Sequence, residues 1–147
     1  MCTKSAFPLI RRLAACRTAV TAVEFTILAP LFLSMFLGMV AFGIHLAASH
    51  SLQQIAADAT RTAIAGLDLA ERRALATSFV DANANSYPFI DRDSLAFSVV
   101  ENPANPNQFT VSVLYDARTL PIWNLMKGLP MPPTEIRRVS TIRVGGL

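Results

Sequence analysis

Phe25 to Ile44 reads FTILAPLFLSMFLGMVAFGI, a run of 20 residues without a charge. As a helix rising 1.5 Å per residue, such a run covers about 30 Å, the hydrocarbon thickness of a bilayer. A small soluble core has no need of so long an uncharged stretch, so the segment reads as a membrane span, placed at residues 20–48. Its flanks give the direction. Residues 1–19 hold Lys4, Arg11, Arg12 and Arg17 and no acid, whereas the first charges on the far side, Asp58 and Arg61, cancel. Basic flanks stay in the cytoplasm, so 1–19 is expected to be a cytoplasmic leader and 49–147 to lie across the membrane.

Other targeting signals fit less well. A cleaved secretory signal, with release of the domain near Ser49, is a rival reading, but its apolar region is usually 7–15 residues long. Leu13-Ala-Ala-Cys16 has the form of a lipoprotein cleavage box, yet Arg11 and Arg12 stand where its apolar stretch belongs. The same arginine pair resembles a twin-arginine export signal, and topology already explains it.

Composition follows from this layout. The chain is 52% hydrophobic and 16% charged, against roughly 25% charged in soluble domains, which excludes a disordered chain. Thirteen bases against ten acids give a net charge of +3, the kind of excess that suggests a nucleic-acid partner. Without residues 1–19, however, nine bases face ten acids, so the basic excess is a topology signal and no nucleic-acid partner is expected. Cys2 and Cys16, the only cysteines, lie in the leader, and no disulfide framework exists.

Beyond the span, Ser49 to about Asn83 is Ala-rich. Leu52, Ile55, Ala56, Ala59, Ala63, Gly66, Leu67, Ala70 and Ala74 recur mostly at three or four, which predicts an amphipathic helix continuing from the membrane. Gln53, Gln54, Asp58, Arg61, Asp68 and Arg72 form its polar face, and a bend or break is expected near Gly66-Leu-Asp68. After a loop at 83–88, Leu95, Phe97 and Val99 alternate with small residues, as do Phe109, Val111, Val113 and Tyr115. This period of two on both sides of Asn102-Pro-Ala-Asn-Pro-Asn107 predicts a hairpin with one apolar face.

Residues 117–134 are too proline-rich for regular structure; within them Trp123 reads either as a contact site or as the cover of a small core's open end. Glu135 to Val144 is a third strand, with Arg137, Arg138 and Arg143 along an exposed edge. The expected fold is α+β: a long N-terminal helix packed on a small antiparallel sheet.

No chemistry of catalysis stands out. His45 and His50 are five apart and off one helical face, and no cysteine accompanies them. There is no phosphate loop, no GxSxG and no HExxH, and Asp91 and Asp93 beside Arg92 read as a solvated turn. The expectation is a non-enzyme with no metal and no cofactor.

Arg17-Thr-Ala-Val-Thr-Ala-Val-Glu24-Phe25-Thr-Ile-Leu-Ala-Pro30 resembles the N-terminus of the TadE/TadG-like pseudopilins of the tight-adherence (Flp-type, type IVc) pilus system, and more widely the type IV prepilin signal. The resemblance covers about residues 11–65. It implies a pilin-like fold, and a prepilin peptidase cutting on the cytoplasmic side between Ala19 and Val20, with Ala19 standing where the family usually has Gly. It further implies an inner-membrane anchor with a periplasmic domain, acting as a minor pilin or pseudopilin in pilus assembly, cell adhesion or secretion. Other pilins or pseudopilins and the inner-membrane assembly platform would be its partners.

Glu24 and Phe25 are then the recognition and assembly pair, Glu24 neutralising the new amine at Val20 of a neighbouring subunit. On physical grounds alone Glu24 is equally an interfacial carboxylate near a helix start, favoured by the helix dipole and by Arg17. Pro30 is expected to kink the span. An uncleaved single-pass protein presenting a periplasmic binding domain is the alternative reading.

Overall fold

A computed structural model of the chain describes residues 17–124 and 130–144. It divides into two units, Met1–Met39 and Val40–Leu147. Residues 1–16 with both cysteines, and residues 125–129 of the proline-rich segment, lie outside the described residues.

The described residues form two α-helices and three strands, with three short 3₁₀ turns between them. Helix α1 runs Arg17–Ala63, 47 residues with Pro30 inside it, and α2 runs Leu69–Asn83. Strands β1 (Leu95–Asn102), β2 (Asn105–Asp116) and β3 (Glu135–Arg143) make an antiparallel sheet in the order β1-β2-β3. The fold is α+β, as the alternating strands and Ala-rich helix require.

The second unit has a core made by the helices and one face of the sheet. From α1 it buries Ala41, Ala48, Leu52, Ile55, Ala56, Ala59 and Ala63, positions three, four or seven apart that form one stripe. From the sheet it buries Leu95 and Val99 of β1, Phe109, Val111, Val113 and Tyr115 of β2, and Ile136 of β3. Every second residue of β2 faces inward, as the period-two pattern demands. The hairpin turn is tighter than the sequence suggested, because β2 already starts at Asn105. Asn102 and Asn105 accept the amides of Ala104 and Asn107 at 3.0 and 3.1 Å, two Asx turns that start the returning strand.

The helical break falls where Gly66 weakens the helix. The α1 C-terminus tightens through Ile64, Ala65 and Gly66 amides bonded three residues back, and α2 restarts behind an Asp68 N-cap. This break resets the helical phase, which overturns part of the expected apolar face. Leu67 is 89% exposed and Ala70 and Ala74 are exposed, while Arg72, assigned to the polar face, is buried with Ala76 and Val80. A face read as one continuous helix cannot survive five residues of non-helical chain.

Arg72 is buried because every donor it turns inward finds a partner. Its Nε donates to the Gly66 carbonyl at 3.2 Å, its Nη1 meets Glu101 at 2.9 Å, and its guanidinium lies 5.1 Å from the Phe109 ring centre. Gly66 belongs to the same contact. A Cβ there would stand 2.7 Å from the Arg72 amide nitrogen, so only glycine lets the two segments approach.

β3 differs in one respect from expectation. Glu135, Arg137, Val139, Thr141 and Arg143 face outward, but Arg138 faces inward with Ile136 and donates to the Ser49 hydroxyl of α1. Trp123 is half-buried, its indole N–H on the Ala117 carbonyl at 2.6 Å, which is the covering role rather than a free contact site.

Candidate functional site

The residues singled out for processing and assembly all lie on α1 within the first unit. Ala19 and Val20 fall in its first turn, so the bond between them is helical, and their side chains lie outside those described. Glu24 and Phe25 follow one turn later, Glu24 exposed and Phe25 71% exposed. Pro30 sits within the helix, which continues unbroken on both sides.

What surrounds these residues is an apolar surface without cover. Val23, Phe25, Ile27, Leu31, Leu33 and Met35 are all more than half exposed and point to different sides of the helix, so no single face is polar. Only 6% of the most apolar 18 residues of this helix is buried by the rest of the described chain. A helix apolar all round and uncovered by its own chain belongs in lipid or among other helices. The burial of α1 inside the second unit begins at Ala41.

Polar groups in the run are handled locally. The Thr26 hydroxyl donates to the Ala22 carbonyl and the Ser34 hydroxyl to the Pro30 carbonyl, each at 2.7 Å. Both are bonds back to the residue four positions earlier, which leave no hydroxyl proton unmatched in an apolar medium. Glu24 has no such local solution among the bonds of the helix's described residues, and its carboxylate is the one formal charge from Thr21 to Ile44.

No second constellation assembles in the fold. The His45 imidazole Nε2 lies 3.2 Å from the Pro133 carbonyl, whereas His50 is exposed on another side. Among the described residues no group of three or more His, Cys, Asp or Glu could hold a metal. Asp91 caps a single 3₁₀ turn, Arg92–Ser94, and Arg92 reaches Asp81 at 2.7 Å and the Leu95 carbonyl at 2.9 Å. Those carboxylates are therefore part of the loop's own structure.

Several polar contacts escaped the sequence reading because they join residues far apart in the chain, and two of them hold ionisable side chains together. One is Arg72 with Glu101. The other is Tyr87, whose hydroxyl donates to Asp58 at 2.9 Å while Arg61 holds the other carboxylate oxygen at 3.0 Å. Burial, the bond to Asp58 and the carboxylate's charge push the Tyr87 phenol up to about 12.

Comparison with known proteins bears on the helix. No curated protein and no solved structure gives a significant match. The family described as TadE-like protein matches residues 19–61, which spans nearly all of α1 and includes Glu24, Phe25 and Pro30. Over this N-terminal helix the chain is similar to the TadE-like proteins.

Proposed function

We propose that the chain is a minor pilin or pseudopilin-like structural component of a tight-adherence pilus assembly or secretion machine. Residues 1–19 are its cytoplasmic leader, 20–48 its inner-membrane helix and 49–147 its periplasmic domain. A prepilin peptidase cuts between Ala19 and Val20. Glu24 then serves recognition and assembly by pairing with the new amine of a neighbouring copy or related pilin, since an unpaired charge of either sign at the edge of lipid is costly. It acts by packing rather than catalysis.

The observation that carries this reading is a single helix with two environments. Its N-terminal half is apolar and exposed on all sides, its C-terminal half buries one stripe in its own fold, and the TadE-like match covers both. Cutting the Ala19–Val20 bond, which lies in the helix, needs local unwinding.

The decisive measurement is the N-terminal residue of the protein recovered from membranes of its native host. Val20 is expected. Met1 supports an uncleaved anchor presenting a binding domain, and a start near Ser49 supports a secreted domain. Glu24→Ala is expected to leave the chain in the membrane and abolish piliation; normal pili with this variant would sink the assembly role.

A further inference from the structure

The sheet has a second face that no part of the second unit covers among the described residues. The register places its residues in rows across the three strands: Ala96, Leu114 and Arg137; Ser98, Ser112 and Val139; Val100, Thr110 and Thr141. Val139 and Val100 are about half exposed, and no side chain on the face is larger than Leu114 apart from the arginines. Side chains within the rows bond to one another: Thr110 to Thr141 at 2.8 Å, and the Arg137 Nε to the Ser112 hydroxyl at 3.2 Å.

Charge at the two ends of this face is opposite. Asp116 and Glu135 form one end and Gln108 and Arg143 the other. Glu135 and Arg143 make no ion pair among the described residues, and lying eight residues apart on one strand, about 26 Å, they cannot reach each other. Both edges of the sheet are partly closed to a partner. On β1 the Leu95 and Val99 carbonyls take bonds from Arg92 and Arg73, and on β3 the Val139 carbonyl takes one from Gln53. Side chains thus occupy edge carbonyls where an added strand would pair, which turns association toward the face.

We infer that this face docks on the same face of a second copy, the strands of the two sheets running antiparallel about a two-fold axis that passes by Val139 and Ser112. That operation sets Glu135 of each copy against Arg143 of the other, giving two ion pairs that one copy alone cannot make. It also sets Ala96 over Val100, Leu114 over Thr110 and Arg137 over Thr141, so each larger residue meets a smaller one. Three strands and five rows cover about 400 Å² per copy, or about 800 Å² in all, below the roughly 1,200 Å² of stable complexes. The contact is accordingly weak in solution, and anchoring both copies in one membrane, which rests on the function proposed above, raises their effective concentration enough to populate it.

The test uses the full chain in membranes of expressing cells, with Cys2→Ser and Cys16→Ser and a single new cysteine, Val139→Cys, on the axis. A short bis-maleimide matched to the spacing of packed sheets is expected to join two copies, whereas Gln54→Cys on exposed α1 surface is not. Glu135→Arg or Arg143→Glu alone is expected to lower the cross-linked fraction about tenfold, and the two together to restore it. Absence of the Val139→Cys dimer in folded protein, capture of a different polypeptide in its place, or failure of the double reversal to restore it overturns the pairing. Cross-linking is scored in whichever cell fraction holds the chain, so loss of membrane location counts against the membrane reading and not against this one.

Discussion

Arg72 and Gly66 show how much one contact decides at the scale of the residue. The guanidinium is buried only because Glu101, the Gly66 carbonyl and the Phe109 ring meet it together, and Gly66 is needed because the Arg72 backbone passes so close. With a Cβ 2.7 Å from the Arg72 nitrogen and 3.0 Å from its Cα, Gly66→Ala must displace backbone. A loss of roughly 1–3 kcal/mol is expected, read as a lower denaturation midpoint, although alanine is the better helix former. A midpoint equal to the parent's would show that the two segments are free to separate.

Tyr87 supplies a pH dependence at the same scale. Folding favours its protonated form, so its contribution is whole below the ordinary phenol value of 10.0 and is lost as pH rises toward about 12. Thermal unfolding followed between pH 9 and 12 is expected to show stability falling on the alkaline side, with a shallower fall in Tyr87→Phe. Equal slopes in the two proteins would remove the Asp58 contact as a cause.

At the scale of elements, α2 depends on its start. Asp68 accepts the Glu71 amide at 2.8 Å, and the Glu71 carboxylate reaches back to the Leu67 amide at 2.8 Å, a reciprocal arrangement close to a capping box. The interior of α2 buries only Arg72, Ala76 and Val80, so packing alone holds it weakly. Asp68→Ala is expected to cost about 1 kcal/mol, and Asp68→Asn much less, in chemical denaturation. The strands were readable because a period of two is local, and β2 keeps it from Phe109 to Tyr115. The helices were readable as helices, but the inward face of α2 was not, since its phase is set by a five-residue connection and by Glu101, 29 residues beyond Arg72.

The whole molecule is two units with different surfaces, one apolar all round and one closed over a core. A soluble helix carries a lysine at an exposed position without effect, while at the centre of a membrane span it costs about 2.5–3.5 kcal/mol of insertion. Leu33 is 57% exposed in the middle of the apolar run, so Leu33→Lys separates the two cases. The expected result is a marked loss of membrane-extracted protein; unchanged partition on alkaline extraction would mean the helix is covered by other protein and not by lipid.

The sequence by itself determined the apolar helix, its basic flank, the candidate residues Glu24, Phe25 and Pro30, the α+β class and the hairpin. All of these are properties of neighbouring residues: run length, charge bias, and periods of two and three to four. Only the tertiary structure decided that Arg72 lies inside, that Arg138 turns toward Ser49, that Tyr87 closes on Asp58, and that Glu135 and Arg143 stand at opposite ends of one open face. Each of those depends on strand register or on the phase of a helix after a break, which are set by contacts between residues distant in the chain and leave no local pattern to read.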